Sequence, residues 1–260
     1  LADNFNLKNL ANIQDKHLVE YVLERQDEGK SASTVKNDLA AIRYFHDQLP
    51  RPRYQMSSNQ ALAKKYMNFI LEKRKFGGIN RQPTELEYQA LVTMASQSKN
   101  PEMANIIRLC RELGLRVHEA VRLNRADAEK ALRNGFLTAK GKGGLVREVP
   151  LSGISVSILK ESMKSIERGE KLFVPNELKA HQVIQRVQDF VRNNRDKVLD
   201  LLNQRPPGIE ITMHSFRHAY AKDQYQQFIA NGIEPHKAKL LVSRLIGHNR
   251  ADVTDIYLAE

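Results

Sequence analysis

Apolar residues recur at three- and four-residue spacing through most of the chain, so helices are the first expectation. Leu18, Tyr21 and Val22 share one face of a segment from about Ile13 to Arg25, which a polar Asp-Glu-Gly-Lys turn closes. A stronger stripe follows a capping serine, Ser31 or Ser33: Val35, Leu39, Ile42, Phe45 and Leu49, stopped by Pro50. A third stripe predicts a helix over roughly 58–75 with Leu62, Tyr66, Phe69 and Ile70 facing inward. Three such stripes predict a small helical bundle.

Beyond residue 82 the pattern restarts. Pro83-Thr84-Glu85-Leu86-Glu87 has the form of a helix start, with Thr84 as cap and Glu87 as its capping-box partner. A helix from about Pro101 carries Met103, Ile106, Ile107 and Cys110 and ends at Leu113-Gly114. One stretch alone reads as strands, 134–139 and 145–151, flanking Lys140-Gly141-Lys142-Gly143-Gly144 as a hairpin with lysine at its tip. Helical patterns then cover 154–166, 179–203, about 212–231 and about 236–246, and a short helix over 251–258 displays Tyr257. The fold class is therefore mainly α with a small β-hairpin or three-stranded sheet. Two domains are expected: 1–76, helical, and 83–260, α+β, joined by a linker over 77–82 that opens with the Gly77-Gly78 hinge.

Composition narrows the partners. In 260 residues with 41% hydrophobic content there is ample material for a core, yet the net charge is +11 and the pI about 9.7. Solubility does not require that excess, and a polyanion explains it. The charge is also concentrated. Residues 1–50 carry six Lys or Arg against eight Asp or Glu, whereas 51–82 carry eight basic residues (Arg51, Arg53, Lys64, Lys65, Lys73, Arg74, Lys75 and Arg81) against Glu72 alone. Such a run is usually a solvated face, but beside a Gly-Gly hinge it suits an arm neutralising DNA phosphates. A single cysteine, Cys110, excludes an intramolecular disulfide and a thiolate metal site and fits a reducing, intracellular compartment. No run approaches the ~20 apolar residues of a membrane span, and no signal-peptide pattern opens the chain. The start at Leu1 suggests a processed or trimmed N-terminus.

Several residues carry candidate chemistry. Arg116 follows the glycine stop at Gly114, a position that would hold a guanidinium as a phosphate clamp; the plainer reading is a surface arginine paired with Glu119. Lys142 projects a mobile ammonium from the hairpin, which is too short for a P-loop and lacks Ser or Thr after its lysine. His214 and Arg217 share one face near a helix N-terminus, where anions are favoured. His214 and His218, four apart, raise a metal reading, but neither a following carboxylate nor a third ligand lies near, so no metal and no cofactor is expected.

Arg116 in Gly-Leu-Arg-Val-His-Glu, Lys142 in a hairpin ending Val-Pro-Leu, His214-x-x-Arg217-His218, Ile-Gly-His248 and Thr254-x-x-Tyr257 together resemble the tyrosine recombinases, or phage integrase family. The likeness runs from about Leu10 to the end, and five motifs in order make it specific. It implies two domains clamping duplex DNA and a site-specific recombinase working as a homo-tetramer of two dimers, in the cytoplasm at the nucleoid. Arg116 and Arg217 would grip the scissile phosphate with His214 and His248. Tyr257 would attack to form a 3′-phosphotyrosine, Lys142 would protonate the leaving 5′ oxygen with Lys140 as its near alternative, and His214 would accept the tyrosine proton. Glu119 would be structural, orienting the arginines. The chain ends at Glu260, where relatives generally continue into a segment that docks on a neighbour, which puts assembly in question. Ile246 stands in place of the usual leucine. A type IB topoisomerase and a silent DNA-binding protein are the competing readings. With only three residues behind it, Tyr257 is expected to be mobile or displaced from the site without DNA.

Overall fold

The computed structural model describes residues 5–73, 79–141, 144–200, 208–248 and 250–259. The chain divides into two compact units, Leu1–Lys75 and Phe76–Glu260.

Among the described residues the first unit is built on the α-helices α1 (Asp15–Asp27), α2 (Ala32–Asp47) and α3 (Asn59–Lys65). Ser31 caps α2 by accepting from the Thr34 amide, and Ser58 caps α3 by accepting from the Ala61 amide. Leu18, Val22, Val35, Leu39, Leu62 and Phe69 form its core. The third helix is much shorter than the stripe predicts. It ends at Lys65, and Ile70, expected inward, is 69% exposed. A tertiary contact explains the break: the Gln26 side-chain amide donates to the Ile70 carbonyl (2.9 Å) and accepts from the Glu72 amide (3.0 Å), so α1 serves the backbone groups a longer helix would satisfy internally.

The second unit contains α4 (Glu85–Ser96), α5 (Glu102–Glu112), α6 (Val117–Val121), α7 (Arg125–Asn134), β1 (Phe136–Lys140), β2 (Val146–Pro150), α8 (Gly153–Ser162), α9 (Ala180–Asn194), α10 (Met213–Ala230), α11 (Pro235–Leu245) and α12 (Ala251–Thr254). The Thr84–Glu87 capping box forms as expected, the Thr84 amide donating to Glu87 at 2.8 Å. Helix α5 packs on α4 and α10, and Ile106, Ile107, Leu109 and Phe216 are fully buried there. The strands pair antiparallel with Phe136 opposite Pro150 and Lys140 opposite Val146. Among the described residues the sheet is this hairpin alone, so the two-stranded alternative is the one that forms; Asn124 and Lys171 add an isolated bridge.

Helix α9 stops short of the expected 203. Its apolar stripe of Val183, Val187 and Val191 runs out, the Asn194 side-chain amide donates back to the Phe190 carbonyl, and a 3₁₀ turn at Arg195–Lys197 leaves Leu199 53% exposed. Helices α6 and α7 carry too few large apolar residues for periodicity to show them. A local signal for α7 was nonetheless present in the Asn124–Asp127 capping box.

Gly114 links the fold to the site. Its φ of +56° is left-handed, and a Cβ there would sit 2.3 Å from Cδ1 of Tyr220. Gly114→Ala should therefore destabilise the protein by more than ~2 kcal/mol in urea unfolding, combining backbone strain with a steric clash. Gly135→Ala, with φ +77° and open space around the new methyl, should cost only ~1–2 kcal/mol. Equal costs for the two would contradict the packing described.

Candidate active site

Four elements converge beside α10. Arg217, three residues after His214 on that helix, has no exposed surface. Its guanidinium donates to the carbonyls of Gly114 and Ile246, the chain positions that follow α5 and α11. Those are helix C-termini, whose outward carbonyls lack intrahelical partners and carry partial negative charge, so they suit a buried cation. Burial lowers the Arg217 pKa to about 10, with Tyr257 opposing and Arg116 adding to the shift, and the group stays charged at neutral pH. Its Nε is buried without a hydrogen-bond partner.

Arg116 sits at the N-cap of α6, reached through the left-handed Gly114. Glu119, one turn on, accepts from the Arg116 amide at 2.7 Å and from its guanidinium at 3.1 Å. The plain pairing with Glu119 and the placement at the site are thus both present, since Arg116 also lines a cleft of about 490 Å³ with His214, Gln188, Arg192 and Arg195. Burial would raise the Glu119 pKa, but Arg147, the Arg116 amide and Arg217 outweigh it and hold the carboxylate at about 2.

Tyr257 is not displaced. It is 3% exposed, and its hydroxyl lies 2.9 Å from Nε2 of His248 and 3.2 Å from Nε2 of His214. Its ring stacks on His218 at 4.3 Å and covers Arg217, whose guanidinium carbon is 6.0 Å from the ring centre. The expectation from chain-end position fails because the segment is anchored before the tyrosine. Thr254 is buried and bonds the Lys239 and Arg250 carbonyls, Ser243 ties the Arg250 backbone at both N–H and C=O, and Lys239 pairs with Asp255 at 2.8 Å. The displaying helix is also only α12, Ala251–Thr254, and a turn carries the chain on to Tyr257.

A tyrosine hydroxyl has one proton to donate, so with both histidines neutral one Nε2 accepts it and the other donates to the oxygen. Both imidazoles are held neutral. His248 falls to about 4 through burial and then through Arg217, Arg116 and Arg147. His214 is lowered by burial and then by Arg217 and Arg116, though the face it turns to the cleft limits the burial effect. His218 falls to about 3 from burial first, with His214, Arg81 and Arg217 adding. His218 was not among the expected site residues; its signal was its place beside Arg217 in the same motif.

Arg116, His214, Arg217, His248 and Tyr257 are thus brought together, and Arg81, expected among the arm contacts, lies near enough to bias His214 and His218. Lys142 lies outside the described residues, as do Arg74 and Lys75. Lys140 ends β1, exposed. Arg51, Arg53, Lys64 and Lys73 are exposed on the first unit. Lys65 is committed to a buried partner, Asp15, at 2.9 Å, which reduces its availability to a phosphate. Sequence reading missed Arg147, which is buried and bonded to Glu119. No cluster of three or more metal-ligating side chains occurs among the described residues, and none of their helices is long and apolar enough to cross a membrane.

Known proteins resemble this chain in sequence and in fold. The family model described as phage integrase family matches residues 83–260, and that of a phage integrase N-terminal SAM-like domain matches residues 1–51. A tyrosine recombinase XerD from Oceanobacillus iheyensis is 28% identical over 234 residues, covering 89% of this chain and 73% of that protein. A lambda integrase dimer bound to a COC′ core site superposes with a TM-score of 0.61 at 17% identity, over 99% of this chain and 84% of that one. A XerH recombinase bound to a palindromic difH substrate gives 0.61 at 19% identity, over 98% and 70%.

The depressed imidazoles set a sign for pH. A histidine whose folded pKa lies below the ordinary 6.5 contributes stability that is fully present above pH 6.5 and is lost as pH falls toward the folded value. NMR titration of the DNA-free protein should give His248 and His218 midpoints well below 6.5, with stability falling between pH 6.5 and about 4. A His248 midpoint at or above 6.5 would contradict the neutral pair at the Tyr257 hydroxyl, and a His218 midpoint there would contradict its burial.

Proposed function

We propose that this chain, which belongs to the phage integrase family, is a site-specific DNA recombinase that cuts and rejoins strands through Tyr257. The phenol oxygen attacks one backbone phosphorus, the bond to the 5′ oxygen breaks, and a 3′-phosphotyrosine and a free 5′-hydroxyl result. A 5′-hydroxyl from the same or a partner strand then attacks the phosphotyrosine and releases the tyrosine, so the number of phosphodiester bonds is conserved.

The observation that carries this reading is the Tyr257 hydroxyl set between two neutral imidazoles, over a buried arginine. His214 takes the phenol proton, and His248 then turns its N–H to a nonbridging oxygen. Arg116 and Arg217 stabilise the charge that builds in the five-coordinate transition state, a task that metal ions perform elsewhere, so we assign none. The unpartnered Nε of Arg217 supports that role, since a phosphate oxygen supplies the missing acceptor. Because the Tyr257 ring covers Arg217, DNA entry must move the tyrosine aside, and the resting site is closed. Lys142 is assigned to protonate the leaving 5′ oxygen.

For binding, we assign Arg51, Arg53, Lys64 and Lys73, with the neighbouring Arg74 and Lys75, to DNA phosphates, and residues 1–76 and 83–260 to two domains that grip the duplex. The lambda integrase dimer on its core site and the palindromic substrate of XerH support a symmetric assembly, and four copies on two duplexes is the state we propose.

A pool of nicked duplexes of randomised sequence tests this reading. Cleavage beside the nick loses the short strand and traps the enzyme, so the wild-type chain should give a denaturation-resistant DNA adduct and Tyr257→Phe none. No adduct from either would sink the reading. Arg116→Ala and Arg217→Ala should each slow adduct formation by about 100-fold or more, at saturating DNA.

A further inference from the structure

A buried charge outside the reacting set remains unexplained. Arg147 is the second residue of β2, with its side chain 5% exposed, and Glu119, with which it pairs, is 2% exposed. The contact is bidentate, at 2.8 Å to one carboxylate oxygen and 2.6 Å to the other. The third donor, Nε, reaches the Leu245 carbonyl at 2.8 Å, at the last residue of α11 and three before His248. A Cβ on Gly247 would sit 3.1 Å from Cδ of Arg147, so the side chain also packs directly under the corner from which His248 emerges.

We infer that Arg147 is a positioning residue: one guanidinium ties the Glu119–Arg116 cradle to the Leu245–Gly247–His248 corner and so fixes the spacing of the two sides of the phosphate site. The inference rests on the recombinase reading and deepens it. Glu119 passes the constraint on, because the same two oxygens that accept from Arg147 accept from the Arg116 amide and guanidinium. Stability alone is a poor account of this pair. Desolvating two charges is costly, and an apolar pair of similar volume is often as stable or more so. Direction is what an apolar pair lacks. Three donors in a rigid plane hold three acceptor oxygens on two separate segments at set distances, which an ammonium on a flexible stem does not do. The backbone at Gly141 passes the same cluster, since a Cβ there would lie 3.3 Å from the Arg116 guanidinium, so the hairpin, Arg116 and the α11 corner meet at one point.

The test uses Arg147→Met and Arg147→Lys in the full chain, with a nicked duplex selected from the randomised pool by the wild-type enzyme. Arg147→Met should form adduct about 100-fold more slowly at saturating DNA, as expected for misplaced catalytic groups, while its dissociation constant for the duplex stays at the wild-type value. Arg147→Lys should fall between, because one ammonium cannot hold both carboxylate oxygens and the Leu245 carbonyl. The double variant Glu119→Gln/Arg147→Met should be no slower than the slower single variant, since the two act as one unit. A substrate with sulfur at the bridging 5′ position needs no proton on its leaving group, and it should not restore Arg147→Met, whose defect lies on the phosphate side. Wild-type rates in both variants, a loss of rate matched by a loss of affinity, additive effects in the double variant, or rescue by sulfur would each overturn the inference. Should Arg147→Met fail to fold, Arg147→Lys and Glu119→Gln bear the same comparison. Failure of the wild type itself to form adduct would instead overturn the phosphotyrosine reading.

Discussion

The site depends on keeping one guanidinium charged where water does not reach it. Arg217 is fully buried, and an isolated cation in that position would be untenable. Two helix C-termini resolve the problem. The carbonyls of Gly114 and Ile246 are backbone acceptors that α5 and α11 leave open, and each adjoins a left-handed glycine, Gly114 itself and Gly247. Arg217 thereby fastens two helix ends to α10 and gains the partial negative charge that lets it remain protonated.

The other groups take their positions from that arrangement. Gly114 directs the chain to Arg116 two residues later, and Gly247 precedes His248. His214 lies one turn before Arg217 on α10. Burial first, and the neighbouring cations after it, hold the imidazoles neutral, which suits them to exchange a proton with the Tyr257 hydroxyl. The same tyrosine closes the pocket, so the residue proposed to attack the phosphate also shields the charge that would receive it.

Much of this was legible in the chain. Periodicity found the long helices, and motifs gathered Arg116, His214, Arg217, His248 and Tyr257 from positions as far as 141 residues apart. What escaped has physical reasons. Helix α3 breaks because Gln26, far off in sequence, bonds to the backbone at Ile70 and Glu72. Nothing in the stripe of Tyr66, Phe69 and Ile70 encodes that partner. Tyr257 was expected to hang free because chain-end position suggests a loose tail, whereas its anchoring lies in Thr254, Ser243 and the Lys239–Asp255 pair, none of which stands out alone. Arg147 went unnoticed because its charge reads as solvent-facing, although strand alternation sets it on the buried face of Val149; its partner, Glu119, lies across the fold.

The central claim is that Tyr257 is the atom-level point of attachment to DNA. Mass spectrometry of a nuclease- and trypsin-digested adduct tests it most directly, because cleavage after Arg250 frees the peptide that begins at Ala251, and Tyr257 is the one tyrosine in 251–260. The account predicts that this peptide carries a nucleotide esterified through its 3′ phosphate to Tyr257. Attachment to any other residue, or an unmodified peptide from protein covalently joined to DNA, would contradict it.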